Sequence, residues 1–311
     1  MRRRHYPRRP PHSISNQIST GLPLARPAKW AFSVAGRFFE LRHDPLTNAY
    51  LLIIGGGVIA LPLLAVFGLP AWASWPYLLA SGGIHLSSII LIGLAYRAAD
   101  YSAIYPLMRG GAPLMTTVAA ALILGEVLRP QAWLGVVILS LGIVGLSWNA
   151  LRAGRLTSRS LVIAAMAALT IVAYTLADGL GTRIAQNAAS YVLAMMALTG
   201  VLVLAIALAS GPSRFVSAMA ASWWQALTVG GVSMLSYGTA LWAMTKAPIG
   251  LVGALRETSV LFAAVIGSVA LKERFGLARW LAAFAIVFGL VLIQTAPAAS
   301  TDTEADPGCW L

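Results

Sequence analysis

The sequence predicts an all-α integral membrane protein arranged as an inverted repeat of five-helix units, and three observations carry the prediction. The chain is 59% hydrophobic and only 10% charged, where soluble domains are about 45–50% apolar and about 25% charged. Apolar runs near the roughly 20 residues needed to cross a bilayer follow one another with only short links between them. Finally, a pattern recurs in register at an offset of 147 residues. Arg109, Leu114, Val118, Leu124, Glu126, Trp133, Leu134, Gly142 and Val144 return as Arg256, Leu261, Val265, Leu271, Glu273, Trp280, Leu281, Gly289 and Val291. An arginine and a glutamate are among the matched pairs, and chance seldom places either in apolar sequence.

The elements follow in order. Residues 1–45 form a basic N-terminal segment, expected to be mostly disordered because residues 1–27 are rich in Arg, Pro and Ser. They lack the apolar core of a secretory signal. Residues 28–41 are apolar, but Arg37 interrupts them and they are short for a span. Helices are then expected near 46–69, 76–96, 102–125, 130–149, 160–182, 189–210, 222–245, 249–271 and 277–295. That makes nine spans, or ten if 28–41 is a degenerate first helix. Backbone polar groups must be satisfied inside lipid, and no alternating strand pattern competes with the helical reading. The first repeat covers 46–149 and lacks a clear first helix, the second covers 160–295, and 296–311 is a flexible acidic tail.

The matched helices, 102–125 and 249–271, stand five spans apart. An odd shift reverses orientation, so the two halves should be related by a two-fold axis in the membrane plane, which is a transporter architecture. Loop charge sets the topology. Arg97, Arg152, Arg155, Arg159, Arg214, Lys272, Arg274 and Arg279 share a side with the basic N-terminal segment, while Arg129, Arg183 and Lys246 lie on the other. The richer side is expected in the cytoplasm, with the C-terminus outside. The net charge of +12 is thus explained by helix ends facing anionic lipid, not by nucleic-acid binding.

Charges inside spans cost on the order of 2.5–3.5 kcal/mol each on insertion scales, and they mark cavities or partners. Arg109 and Arg256 stand first, since both halves keep them about two turns into equivalent helices. Arg109, Ala112, Thr116 and Ala120 share a face, as do Arg256, Ser259, Ala263 and Gly267. Two guanidinium groups lining one cavity suit a carboxylate or phosphate; the competing reading is an arginine neutralised by Asp178 or Glu257. Asp178 lies one turn after Tyr174 on the same face and could couple a proton, accept an amine or pair with either arginine. Glu257 points about 100° away from Arg256. Tyr105, Tyr237 and Trp242 are further cavity candidates. His85, the membrane histidine, reads more readily as packed and satisfied than as a relay. Pro106, Pro113 and Gly110-Gly111 are expected to interrupt their helix, and Glu126 and Glu273 to mark membrane boundaries. Trp72, Trp75, Trp133, Trp223, Trp224 and Trp280 read as interfacial belt residues.

No nucleophile elbow and no phosphate-binding P-loop occurs, so neither an enzyme nor an ATP-driven pump is expected. The single cysteine, Cys309, allows no intrachain disulfide and no cysteine metal site. No cofactor and no metal is expected.

Residues 95–146 (AYRAADYSAIYPLMRGGAPLMTTVAAALILGEVLRPQAWLGVVILSLGIVGL) and 254–293 (ALRETSVLFAAVIGSVALKERFGLARWLAAFAIVFGLVLI) each resemble the closing three-helix pattern of the EamA family of the drug/metabolite transporter superfamily. YTLADGLGTR (174–183) resembles the opening of a second repeat in one subgroup. The resemblance implies ten helices in two inverted repeats and secondary transport of small metabolites, usually export. The expectation is therefore a multi-pass secondary transporter of a small polar or anionic metabolite in the bacterial inner membrane. Its partners would be that substrate and the lipid bilayer, with a homodimer compatible but not required. The alternative is a non-transporting subunit, or a truncated remnant, that needs a partner helix.

Overall fold

The computed structural model describes residues 45–99, 101–152, 154, 156–260, 262 and 276–296. The predicted segments 1–27 and 28–41, Ala263, Gly267, Lys272, Glu273, Arg274 and most of the acidic tail lie outside the described residues. Among the described residues, the regular elements are all helical. They are α1 (Pro45–Phe67), a 3-10 turn (Trp72–Ser74), α2 (Trp75–Ala98), α3 (Tyr101–Leu124), α4 (Pro130–Gly145) and α5 (Trp148–Arg152). They continue with α6 (Ser158–Ile184), α7 (Ala188–Ser210), α8 (Pro212–Met244), α9 (Ile249–Arg256) and α10 (Leu277–Thr295). The chain divides after Asn48, and the packing below is that of the unit from Ala49 onward.

Five helices among the described residues are long and apolar enough to cross a membrane: Thr47–Phe67, Trp72–Ala98, Ile104–Leu124, Ser158–Ile184 and Ala188–Ser210. Pro130–Gly145 and Trp280–Thr295 are apolar but shorter. Large apolar side chains such as Val66, Leu122, Val232, Leu235 and Phe284 point outward, as expected where hydrocarbon replaces water as solvent. With lipid on one side and protein on the other, helices associate through small residues that let backbones approach. The run Gly55-Gly56-Gly57 in α1 does this against two neighbours at once. Gly55 and Gly56 meet Ala226 and Gly230 of α8, and a Cβ on Gly57 would stand 2.9 Å from the Cα of Gly200 in α7.

Packing between α4 and α10 is among the closest. A Cβ on Gly289 would lie 2.6 Å from the carbonyl oxygen of Gly135, and one on Gly142 would lie 3.1 Å from that of Ala282. Buried Val136, Leu139, Ile143 and Ile286 fill the seam around these contacts.

Helix ends are tied by side chains. Thr157 caps α6, accepting from the Ser160 amide at 3.2 Å. Asn187 caps α7, accepting from the amides of Ala189 and Ser190. The tight α6–α7 link passes through Gln186 with φ of 62°, a left-handed conformation uncommon for a residue with a side chain.

Four expectations need correction. The helix expected at 222–245 is present from the kink at Ser222, where φ is −135°, to Met244, but a further helical stretch from Pro212, which was not expected, leads into it. The run 130–149 ends as an α-helix at Gly145, and Trp148–Arg152 forms a separate turn of helix. The helix containing Pro106, Gly110-Gly111 and Pro113 is continuous, whereas its repeat partner, expected to run unbroken from 249, is interrupted at Glu257 and resumes as helix at Thr258. Neighbouring helices can supply what a proline removes, and α3 is packed by α4, α6 and α9.

Glu126 is more than a boundary marker. It accepts from the Ile249 amide at 2.9 Å and the Gly250 amide at 3.3 Å, at the free N-terminus of α9. The same carboxylate receives Arg183 Nη2 at 2.8 Å. Arg183 also donates to the carbonyls of Met244 and Ala247. A carboxylate at a helix N-terminus meets unsatisfied N–H groups and the positive end of the dipole, which is why the sequence ends α3 with an acid here.

Candidate functional site

The centre of the site is Asp178, fully buried on α6. A buried carboxylate must be hydrogen-bonded to persist, and three residues supply the bonds. Tyr191 of α7 donates its hydroxyl to Oδ1 at 3.0 Å. Tyr237 of α8 donates to Oδ2 in a short hydrogen bond. His85 Nε2 of α2 lies 3.3 Å from the same oxygen. The capped α6–α7 turn folds α7 back so that the Tyr191 ring lies over Gly181, where no side chain obstructs it. Tyr174, one turn before Asp178, stacks on His85 with ring centroids 4.0 Å apart. Four helices thus converge on one carboxylate.

The two repeat-matched arginines have different environments. Arg109 Nε donates to Glu257 Oε2 at 2.9 Å, and both side chains are largely buried. Arg256 lies over the ring of Tyr237, its guanidinium carbon 5.0 Å from the centroid, a cation–π geometry. Among the described residues no carboxylate stands within salt-bridge distance of Arg256.

A cavity of about 200 Å³ opens beside this cluster. Arg256, His85, Tyr237, Thr199 and Ser233 contribute its polar lining; Leu52, Ile53, Ile89, Met195 and Met196 are among its apolar residues. Its chemistry is that of one guanidinium, one imidazole and several hydroxyls on an apolar wall.

Of the residues singled out in the sequence, His85, Tyr237 and Arg256 line this cavity. Asp178 and Tyr174 stand directly behind them. Arg109 and Glu257 pair with each other, so the neutralising acid is Glu257 and not Asp178. Tyr105 packs with Leu114 and Leu255 beside buried Val136 and Leu139, and Thr116 is buried facing Gly253. Ser259 is exposed, because the break at Glu257 turns it off the face that Arg256 occupies. Trp242 is 57% exposed and belongs to the outer surface. The described residues contain no group of acids, histidines or cysteines arranged to hold a metal ion.

Residues 158–295 match the EamA-like transporter family. The matched stretch begins at α6 and ends at α10, so Asp178, Tyr191, Tyr237 and Arg256 all fall within it. A crystal structure 18% identical in sequence overlays with a TM-score of 0.63, covering 84% of this chain and 91% of its own. At that identity the overlay speaks for the fold alone. No curated protein matches the chain in sequence.

Tyr191, Thr199 and Ser233 are among the candidate-site residues that sequence reasoning missed. The signal for Tyr191 is indirect: a buried acid needs donors, and the Asn187 cap returns the chain within reach of Asp178.

Proposed function

We propose that the chain is a multi-pass secondary transporter of a small polar or anionic metabolite, working by alternating exposure of the cavity bounded by His85, Tyr237 and Arg256. The observation that carries this reading is a guanidinium that no carboxylate among the described residues pairs, lining a cavity of a helical chain whose residues 158–295 match the EamA-like transporter family. Charges inside a span cost about 2.5–3.5 kcal/mol each on insertion scales, and those that are kept commonly mark substrate pathways. The bacterial inner membrane and export are the setting in which we read it.

We read the chain as nine spans in two inverted repeats, 46–149 and 160–295. Two contacts between α4 and α10 support the two-fold relation. At an offset of 147, Gly135 matches Ala282 and Gly142 matches Gly289. The contact of Gly135 with Gly289 and that of Gly142 with Ala282 are therefore each other's images under exchange of the halves.

Two measurements test the reading. In proteoliposomes containing the full chain, a panel of organic acids, phosphonates and amino acids should include a compound taken up saturably above empty vesicles. Tyr237→Phe, which removes a donor from Asp178 while keeping the ring under Arg256, should lower that uptake at least about tenfold, about 1.4 kcal/mol. Absence of saturable uptake across the panel would remove the transporter reading. Second, in a Cys309→Ser background, Ser233→Cys should be alkylated by membrane-impermeant reagent from either side, and labelling from one side only would refute alternating access.

A further inference from the structure

The offset that matches Arg109 with Arg256 also matches Gly110 with Glu257. The second repeat therefore carries an acid beside its arginine and the first does not. That acid crosses to the other half and is occupied by Arg109 at 2.9 Å. The reciprocal bond, from Arg256 to position 110, cannot exist because position 110 has no side chain. Nor is there room for one: a Cβ on Gly110 would lie 2.9 Å from the backbone nitrogen of Val144. Asp178 is no substitute, since Tyr191 and Tyr237 occupy its two oxygens and His85 lies against one of them. The broken symmetry leaves one guanidinium committed and one available.

Resting on the transporter reading above, we infer that the cavity selects a small monoanion with an apolar body, whose charged end is held by Arg256 alone. Among the described residues that line the cavity, Arg256 is the one arginine or lysine. A second negative charge on the ligand would meet neutral groups or the carboxylate behind His85. The remainder of the ligand would rest on Leu52, Ile53, Ile89, Met195 and Met196, where the flexible thioethers adapt to varied apolar shapes. Thr199 already donates its hydroxyl to the carbonyl of Met195 at 2.7 Å and Tyr237 donates its own to Asp178, leaving Ser233 and His85 Nδ1 as the partners for orientation.

Three probes with a common ring separate the possibilities: phenylacetate (one negative charge), phenylsuccinate (two) and phenylacetamide (none). Uptake by proteoliposomes holding the full chain is expected to favour phenylacetate at least tenfold over each of the others. Arg256→Gln should reduce phenylacetate uptake to that of empty vesicles, while Arg256→Lys, which keeps the charge, should retain the order of preference at lower affinity. Glu257→Gln should release Arg109 and shift the ratio at least tenfold toward phenylsuccinate. The inference is overturned if the wild type carries phenylsuccinate as well as phenylacetate, if Arg256→Gln retains phenylacetate uptake, or if phenylacetate is not carried. In the first two outcomes anion transport survives and only the single-cation selectivity fails. Saturable uptake of phenylacetamide alone would instead contradict the anionic substrate class.

Discussion

Arg109 and Arg256 occupy matched positions in matched stretches, yet they live in opposite circumstances. Arg109 sits in a helix that runs unbroken through two prolines and two glycines, and it is locked to Glu257. Arg256 ends a helix that contains no proline, and it rests on an aromatic face beside a cavity. The difference teaches that helix continuity here follows tertiary partners more than local propensity. Glu257 leaves α9 at the point where its carboxylate reaches across 148 residues to the other repeat.

The comparison can be broken most forcefully by removing the committed arginine. Arg109→Met leaves Glu257 buried without its partner, and breaking such a pair typically costs about 3–5 kcal/mol. Thermal or denaturant unfolding in detergent should register that loss, and the double variant Arg109→Met with Glu257→Leu should recover most of it. A loss that persists in the double variant would mean the pair is not what sets the cost. Of intermediate size is the crossing of the two halves. Gly289→Ala forces a methyl to within 2.6 Å of the Gly135 carbonyl oxygen, and overpacking of this kind costs about 1–3 kcal/mol. Unchanged stability would show that α4 and α10 can separate without penalty. The smallest effect belongs to the available arginine: Arg256→Met gives up a cation–π contact but removes an unpaired charge, so stability should shift by less than about 1 kcal/mol. A fall as large as that of Arg109→Met would erase the contrast between the two.

The sequence exposed those features that depend on composition and spacing. Its apolar runs declared the membrane class and located α1, α2, α3, α6, α7 and α10 to within a few residues of their ends. The offset singled out Arg109 and Arg256 before any distance was known. Partner choice was not legible, because it is settled between residues far apart in the chain. Nothing local distinguishes Asp178 or Glu257 as the acid for Arg109, and the turn at Glu257 follows from that choice. His85 was read as packed and satisfied, which describes its contacts with Tyr174, Tyr237 and Asp178. Its position on the cavity wall depends on three helices meeting there. The expected helix start at 222 coincides with the kink in α8, but the helical stretch from Pro212 to it was not legible, because its small and polar residues give no apolar run.

The clasp made by Glu126 and Arg183 has a mechanical consequence. One carboxylate and one guanidinium together hold the amides of Ile249 and Gly250 and the carbonyls of Met244 and Ala247. Prying the ends of α3 and α6 away from the α8–α9 bend would strip all of these groups of their partners in a single motion. That edge of the molecule should therefore yield as one piece or not at all, like a snap fastener and unlike a zip.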